Sequence, residues 1–508
     1  MPDPQTPAPS TTTEPPKTEQ PGTVGFPVPR PVVKAPAVPL PPAVLPAVLV
    51  AGVAGAVILP LDRPGIGWLI VGLLAAAAVY TVRAKSRRTV FIPSLGRILW
   101  VSATLLLLAT GMLRASGWLF TLCVLAACVT GSLAVVGRRS ANGLWFDMFA
   151  VPIEVLHALP WLTRGSGVFR KRDKEKTNRF GLSILLSLFL LAVFLPLLGS
   201  ADAAFAGILR DLVPQVDTAT VLRWVFVFGL VGLGTLSACY LLAAPPKPAG
   251  ARKQPSRLLA RTEWTLPIGL LAALFAGFVA VQIVTLFGGN SYVLRTADLT
   301  YAEYARSGFR QLVVITVLTL AVISTALHWA AKETRADRLW LRALLGALSL
   351  LTLVIVASAL MRMWTYQQAY GFTVLRLLVE TCELWIGALY LLMITAVVRL
   401  DQSWLPRAVV GAAAVALLAL AALNPEEFIA NRNTDRWQAT GKLDSGYLST
   451  LSADAVPAFD RLPAELRACA MAGHDRYLDD DWRSWNLSRS SLRSAPATGY
   501  AVNCWRRY

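Results

Sequence analysis

Three charged side chains lie in a segment that otherwise reads as a membrane-spanning helix. Within the apolar run 374–398, Glu380 and Glu383 follow Arg376 by four and seven residues. At about 100° per residue these positions fall within about 60° of each other, so they share one helix face. A charged group at the centre of a spanning helix costs about 2.5–3.5 kcal/mol on insertion scales. We therefore expect this face to meet other helices or water instead of lipid.

Two interpretations of this face are open. The first is a packing clamp, in which Arg376 pairs with Glu380 and Glu383 meets a donor on a neighbouring helix, with Gln282 and Arg306 as candidates. The second is an intramembrane proton or cation site. A carboxylate without a balancing charge in a medium of low dielectric constant can bind and release a proton. The second interpretation predicts a transporter-like or ion-coupled protein.

A second motif lies upstream, just before another apolar run. Thr300 and Glu303 have the spacing of a capping box, so a helix is expected to begin at Thr300. Glu303 and Arg306 can pair at i, i+3, and Tyr301 and Tyr304 share a face. The motif is typical of an aromatic anchor at the membrane interface. If the charged face is an ion site, the motif is expected to form a gate at its outer mouth.

Composition predicts the elements that must position these residues. Apolar residues make up 55% of the 508 residues and charged residues 15%, against about 25% charged in soluble domains. We expect an all-α, polytopic transmembrane helix bundle over 43–423, because most apolar runs approach the length of about 17–25 residues that a spanning helix needs. Eleven such runs cover 44–60, 66–82, 98–113, 118–136, 181–199, 219–242, 264–287, 309–329, 343–361, 374–398 and 406–423.

Loop charge predicts the orientation of the bundle. Five, nine, five and four Lys or Arg residues lie in 83–97, 137–180, 243–263 and 330–342, whereas the alternate loops carry few. Basic loops are retained in the cytoplasm, so the N-terminus is expected inside and, after eleven spans, the C-terminus outside. The net charge of +18 is therefore explained by loops, and no nucleic-acid partner is expected.

Two stretches within the first third of the chain depart from the pattern of spans. Residues 1–42 are rich in Pro, Thr, Ala and Gln, which predicts a disordered tail. The stretch 144–162 is apolar, but Asp147, Glu154 and His157 fall on one helix face and Pro152 and Pro160 interrupt it, which predicts a helix lying in the cytoplasmic interface. If it spanned instead, every later loop would invert. The basic run 164–179 beside it is either a site for anionic lipid headgroups or an ordinary stop-transfer flank.

The stretch 424–508 contains no spanning run, and we expect a small extracytoplasmic helical domain there. Pro425 after Asn424 is typical of a helix start. Cys469 and Cys504 are the only cysteines in this stretch. They lie on the expected oxidising side, which predicts a disulfide between them.

Four segments resemble an uncharacterised family of bacterial polytopic membrane proteins, known as domain of unknown function 4173 and related to group 4153. They are Leu286 to Phe309, Met363 to Arg376, Asn424 to Asn433 and Leu448 to Pro457. The resemblance covers roughly 180–460. It implies a polytopic fold in the bacterial cell membrane, with lipids as partners, and it implies no chemistry.

Motifs for common enzyme chemistry are missing from the sequence. There is no P-loop, no HExxH, no GxSxG and no metal-ligand spacing among the six cysteines. We therefore expect no catalytic residue, no metal and no cofactor. Two functions stay open: a transporter-like protein using the charged face, and an envelope sensor, scaffold or regulator acting through its C-terminal domain. A membrane enzyme acting on a lipid-linked substrate ranks third.

Overall fold

The structure is a computed structural model. It describes residues 40–87, 94–137, 144–165, 218–244, 259–287, 309–472 and 480–493, with His474 and isolated positions between 187 and 202. Secondary structure in these ranges is helical, apart from an isolated parallel bridge between Leu259 and Ala330. The all-α prediction is confirmed for the described part of the chain.

The described helices fall into a mostly apolar group before residue 424 and a more polar group after it. The first comprises α1 (Val44–Ile58), α2 (Ile66–Arg87), α3 (Leu95–Leu113), α4 (Gly117–Val136), α5 (Leu144–Ile153), α6 (Val155–Gly165), α7 (Thr218–Ala243), α8 (Arg261–Phe287), α9 (Phe309–Trp329), α10 (Arg335–Tyr370), α11 (Val374–Arg399) and α12 (Leu405–Leu423). The second comprises α13 (Pro425–Thr440), α14 (Ser445–Leu448), α15 (Val456–Phe459), α16 (Ala464–Met471) and α17 (Leu487–Arg493), with 3₁₀ turns at Ala453–Ala455 and Trp482–Ser484.

Nine of the described helices are long and apolar enough to cross a membrane, namely α2, α3, α4 and α7 to α12. The chain is therefore a multi-pass membrane protein. Helix α1 is apolar but has only 15 residues. The predicted span at 181–199 lies outside the described residues except for isolated positions, and the predicted tail at 1–42 lies almost wholly outside them.

Helix α10 is much longer than the apolar run 343–361 that predicted it. It has 36 residues and begins with a capping box, in which Asp337 N donates to the Thr334 hydroxyl and Thr334 N donates to the Asp337 carboxylate. The helix rises about 1.5 Å per residue, so its length exceeds a hydrocarbon core of about 30 Å. The polar turns at its ends extend the helix beyond the apolar run.

The helix connections gather at two ends of the bundle. Connections 59–65, 114–116 and 371–373 lie at one end, because the segment 424–493 bonds to all of them. We call this the docked end. Connections 330–334 and 400–404 lie at the other, where Lys332 Nζ donates to the Leu400 carbonyl at 3.5 Å. We call this the basic end.

The C-terminal segment 424–493 shares a hydrophobic core with the bundle. Leu107 and Leu119 of α3 and α4 belong to the same buried cluster as Ile429 and Phe459 of the segment. All four side chains are fully buried. The segment is thus built onto the docked end, and the two share one packed interior.

Asp454 joins the segment to the α3–α4 connection. Its carboxylate, 2% exposed, accepts hydrogen bonds from Ala115 N and Ser116 N at 2.9 Å and from the Ser116 hydroxyl at 3.1 Å. Nearby, Trp118 Nε1 donates to Glu426 Oε1 at 2.8 Å. These carboxylates satisfy backbone and side-chain donors that the end of a helix pair would otherwise leave unpaired.

Arg489 joins the end of the segment to the α1–α2 connection. Its guanidinium is 1% exposed and donates to Asp480 Oδ2 and to the Pro64 carbonyl, each at 2.6 Å. Asp480 also accepts from Arg63 Nη1 at 2.9 Å. The buried arginine is therefore paired and hydrogen-bonded, as a charge in a dry environment requires.

Replacing Asp454 with Ala tests this attachment. The substitution leaves two buried backbone N–H groups without acceptors, each at a cost of about 1–3 kcal/mol, so we expect a clear fall in the thermal unfolding midpoint of the detergent-solubilised protein. Asp435→Ala is the matched control, because Asp435 forms a half-exposed pair with Arg461 that is worth about 0–1 kcal/mol. Equal midpoints for the two variants would contradict the assigned role of Asp454.

Candidate functional site

The turn between α10 and α11 sets the position of the charged face. Gly371 ends α10 with φ +85°, a conformation that favours glycine, and the Thr373 side chain accepts from Arg376 N. Asn433 of the C-terminal segment bonds both the N–H and the carbonyl of Phe372, at 3.0 and 2.8 Å. The segment thereby holds the turn from which the charged face begins.

Tyr447 supports the first turn of α11 from the same side. Its phenol oxygen accepts from Val374 N at 2.8 Å. Burial raises the pKa of Tyr447, so the phenol stays neutral across the physiological range. The N-terminus of α11 thus has a hydrogen-bond partner supplied by the C-terminal segment.

Arg376 turns away from the two glutamates. Its guanidinium donates to the Tyr370 carbonyl at 3.1 Å and to the Gly371 carbonyl, and it lies 4.7 Å from the centroid of the Tyr366 ring. Cations stabilise the carbonyl end of a helix, which explains why the arginine binds the end of α10. The expected ion pair between Arg376 and Glu380 is not formed.

Glu380 bonds across the α10–α11 interface instead. Its Oε2 accepts from Gln367 Nε2 at 3.1 Å. Because the Gln367 amide nitrogen faces the Glu380 carboxylate, the Gln367 amide oxygen points away from that carboxylate. Gln367 is 0% exposed, and its Oε1 has no hydrogen-bond partner among the described residues.

Glu383 is the most deeply buried of the three charged residues. It is 1% exposed, and its Oε2 has no hydrogen-bond partner in the described part of the chain. The expected bond from Gln282 to Glu383 is not found among the described residues, and the Gln282 oxygen accepts from Ser358 Oγ and Arg362 Nη2, both at 2.8 Å. The other candidate donor, Arg306, lies outside the described residues.

Two buried acceptors on facing helices therefore lack donors. Glu383 lies three residues beyond Glu380 on α11, about 4.5 Å along the axis, and Glu380 bonds Gln367 on α10. Carboxylates and amide oxygens have lone pairs that bind hydrogen or a cation. The group formed by Gln367, Glu380 and Glu383 is the candidate functional site, and two of its oxygens, Gln367 Oε1 and Glu383 Oε2, have no donor among the described residues.

Sequence reasoning identified the two glutamates but missed Gln367. Gln367 lies beyond the apolar run 343–361, and its partner Glu380 is on another helix, so neither hydropathy nor helix periodicity linked the two residues. The segment Met363 to Arg376, quoted above for its resemblance to a known family, contains Gln367. That resemblance was the available signal.

The motif predicted to form an outer gate cannot be placed. Its members lie outside the described residues, and α9 is described from Phe309 onward. They are Thr300, Tyr301, Glu303, Tyr304 and Arg306. The capping box and the gate stay predictions.

The stretch 144–162 forms two short helices that meet at Glu154, within the described ranges. Asp147 is 2% exposed and lies 3.7 Å from Arg407 of α12, whereas Glu154 pairs with the exposed His157 at 3.0 Å. Asp147 thus points into the bundle and Glu154 pairs locally. The interfacial position of this stretch and the lipid site at 164–179, most of which lies outside the described residues, stay predictions.

The cysteines of the apolar helices are free thiols, whereas the described cysteine of the C-terminal segment is in a disulfide. Cys123, Cys128, Cys239 and Cys382 of the long helices are free thiols. Cys469 is engaged in a disulfide. Cys504 lies outside the described residues, so the pairing of Cys469 with Cys504 stays a prediction.

Comparison with known proteins places the chain in a family. The model of a domain of unknown function, DUF4153, matches residues 101–462, which is more than two thirds of the chain. The chain belongs to this family. The matched region contains the whole candidate site and Asp454, and the family is described without an activity. No curated protein and no solved structure matched the chain.

The disulfide can be tested by counting reactive thiols. We expect four alkylated cysteines in the denatured, unreduced protein and six after reduction, measured by intact mass, because a disulfide does not react with alkylating reagents. Cys469→Ser is the control and should leave the Cys504 thiol reactive without reduction. Six alkylated thiols in the unreduced wild-type protein would refute the bridge.

Proposed function

We propose that this multi-pass membrane protein binds a proton at Glu383 and couples it to the movement of an ion or solute. The observation that carries the proposal is that the Glu383 carboxylate is 1% exposed and its Oε2 has no hydrogen-bond donor among the described residues. Ionisable groups at such positions are costly in a membrane protein and mark ion pathways and proton relays.

The surrounding cations support a proton rather than a structural ion pair. Arg376 is engaged by the carbonyl end of α10, and Arg362 donates to Gln282. No ion pair to Glu383 is present in the described part of the chain. A carboxylate that is buried without a counter-charge becomes stable by taking up a proton.

A larger metal cation has weaker support at this position. The described residues contain no group of three or more His, Cys, Asp or Glu side chains that would suit a metal ion. A proton needs no coordination shell and satisfies a carboxylate directly.

We further propose that the docked end faces the outside of a bacterial cytoplasmic membrane, with the N-terminus inside and the C-terminus outside. Support comes from charge: the basic end carries Lys332, Arg335, Arg338 and Arg342 within or beside one connection. Basic residues near spans are retained in the cytoplasm. The same charges favour contact with anionic lipid headgroups.

Carbodiimide labelling tests the proton site. Dicyclohexylcarbodiimide reacts with protonated carboxyl groups in apolar surroundings, so we expect a covalent adduct on Glu383 in the folded protein at pH 7, found by peptide mass mapping. Glu383→Gln should abolish that adduct. Glu380→Gln is the matched control on the same face and should keep it. An unlabelled Glu383 in the folded wild-type protein would remove the proposal.

Proton flux separates this proposal from the alternative. In proteoliposomes we expect flux through the wild type and its loss in Glu383→Gln, with unfolding midpoints compared as the control for folding. Equal flux in two folded proteins would instead favour an envelope sensor, scaffold or regulator that acts through the C-terminal segment.

Reporter fusions test the orientation separately from the proton site. An extracytoplasmic reporter inserted at residues 114–116 or fused at the C-terminus should be active, and one inserted at 330–334 should be inactive. The reverse pattern would invert the proposed sidedness.

A further inference from the structure

The buried polar groups of α11 continue past Glu383 and then stop. Tyr390 lies seven residues further, about 10 Å deeper at 1.5 Å per residue. It is 0% exposed, and its phenol donates to the Thr316 carbonyl on α9 at 2.6 Å. The hydroxyl groups of Thr319 and Thr352 face the same phenol.

Between Tyr390 and the basic end the helix interface is apolar. The buried side chains of this layer are Ile323 and Leu327 of α9, Leu341 and Leu345 of α10, and Met393, Ala396 and Val397 of α11. Ser349 of α10 is a buried polar side chain within this layer, and its hydroxyl donates back to the Leu345 carbonyl at 2.7 Å. An apolar layer of this kind resists the passage of water and of charge.

Between Glu383 and the docked end the interface contains polar groups. Glu380 is partly exposed and bonds Gln367. Gln282 of α8 bonds Ser358 and Arg362 of α10. Ser358 is nine residues from Gln367 along α10, so it lies on the Tyr390 side of Glu383. Polar groups therefore continue from the docked end as far as Tyr390, and mostly apolar side chains follow beyond it.

From this asymmetry we infer that Glu383 exchanges its proton with the docked end alone, and that Tyr390 and the apolar layer beyond it close the route to the basic end. The inference rests on the proposed proton site and adds a direction to it. The arrangement corresponds to one of the two states that alternating access requires, the state open on the docked side. Passage to the basic end then requires α11 to shift against α9 and α10.

Cysteine accessibility tests the asymmetry. The parent is the full-length protein in which the four free cysteines are changed to Ser, with Cys469 and Cys504 kept. We add Ser358→Cys or Ser349→Cys and apply a charged, membrane-impermeant methanethiosulfonate from either side of oriented vesicles. We expect Ser358→Cys to react from the docked side only and Ser349→Cys to react from neither side.

Two variants of Tyr390 test the closure itself. In the Ser349→Cys background, Tyr390→Ala removes the ring and should make the cysteine reactive from the docked side. Tyr390→Phe keeps the ring and should leave the cysteine unreactive. Unfolding midpoints close to that of the parent show that these variants are folded, and a folded Tyr390→Ala variant that stays unreactive would overturn the role of Tyr390.

The accessibility readout does not depend on the protonation of Glu383. Reaction of Ser349→Cys from the basic side in the parent would overturn the one-sided access while leaving the carbodiimide result intact. If the cysteines react from one side only but the carbodiimide does not label Glu383, one-sided access would be supported and the proton site would be refuted. The two failures are therefore distinguishable.

Discussion

The low dielectric constant of a membrane interior is the constraint that organises this protein. A polar group that leaves water must find a partner within the chain, or it costs several kcal/mol. The described structure meets this demand with bonds between elements far apart in sequence. Arg376 binds the carbonyl end of α10, Glu380 accepts from Gln367, and Asp454 accepts from the start of α4. Glu383 departs from this rule, which is why it carries the functional proposal.

The C-terminal segment is part of this solution. It shares a hydrophobic core with α3, α4 and α12, and it supplies hydrogen-bond partners to connections at the docked end. Through Asn433 and Tyr447 it also holds the turn and first residues of α11. A conformational change in this segment would therefore alter the hydrogen bonds at the N-terminus of α11, the helix that carries Glu380 and Glu383. The two proposed roles, regulatory and ion-coupled, would therefore both involve these contacts.

The family to which the chain belongs has no described activity, so the function of this protein has to be inferred from its candidate site. The geometry supports a particular kind of chemistry, the uptake of a proton by a buried carboxylate, and it favours one direction of access. The geometry does not identify the transported species, because neither a proton site nor an apolar layer is specific for one solute.

The sequence by itself determined the helical class, the approximate positions of nine candidate spans and the shared face of Arg376, Glu380 and Glu383. Each of these depends on residues near one another in the chain, through hydropathy summed along one helix or through the 3.6-residue repeat. Only the tertiary structure decided which partners those side chains have. Arg376 binds backward to α10, and Gln367 pairs with Glu380, because α10 and α11 pack as antiparallel neighbours around Gly371. The docking of Asp454 likewise depends on which helix connections lie together at the docked end. Residues that are close in the sequence do not determine this.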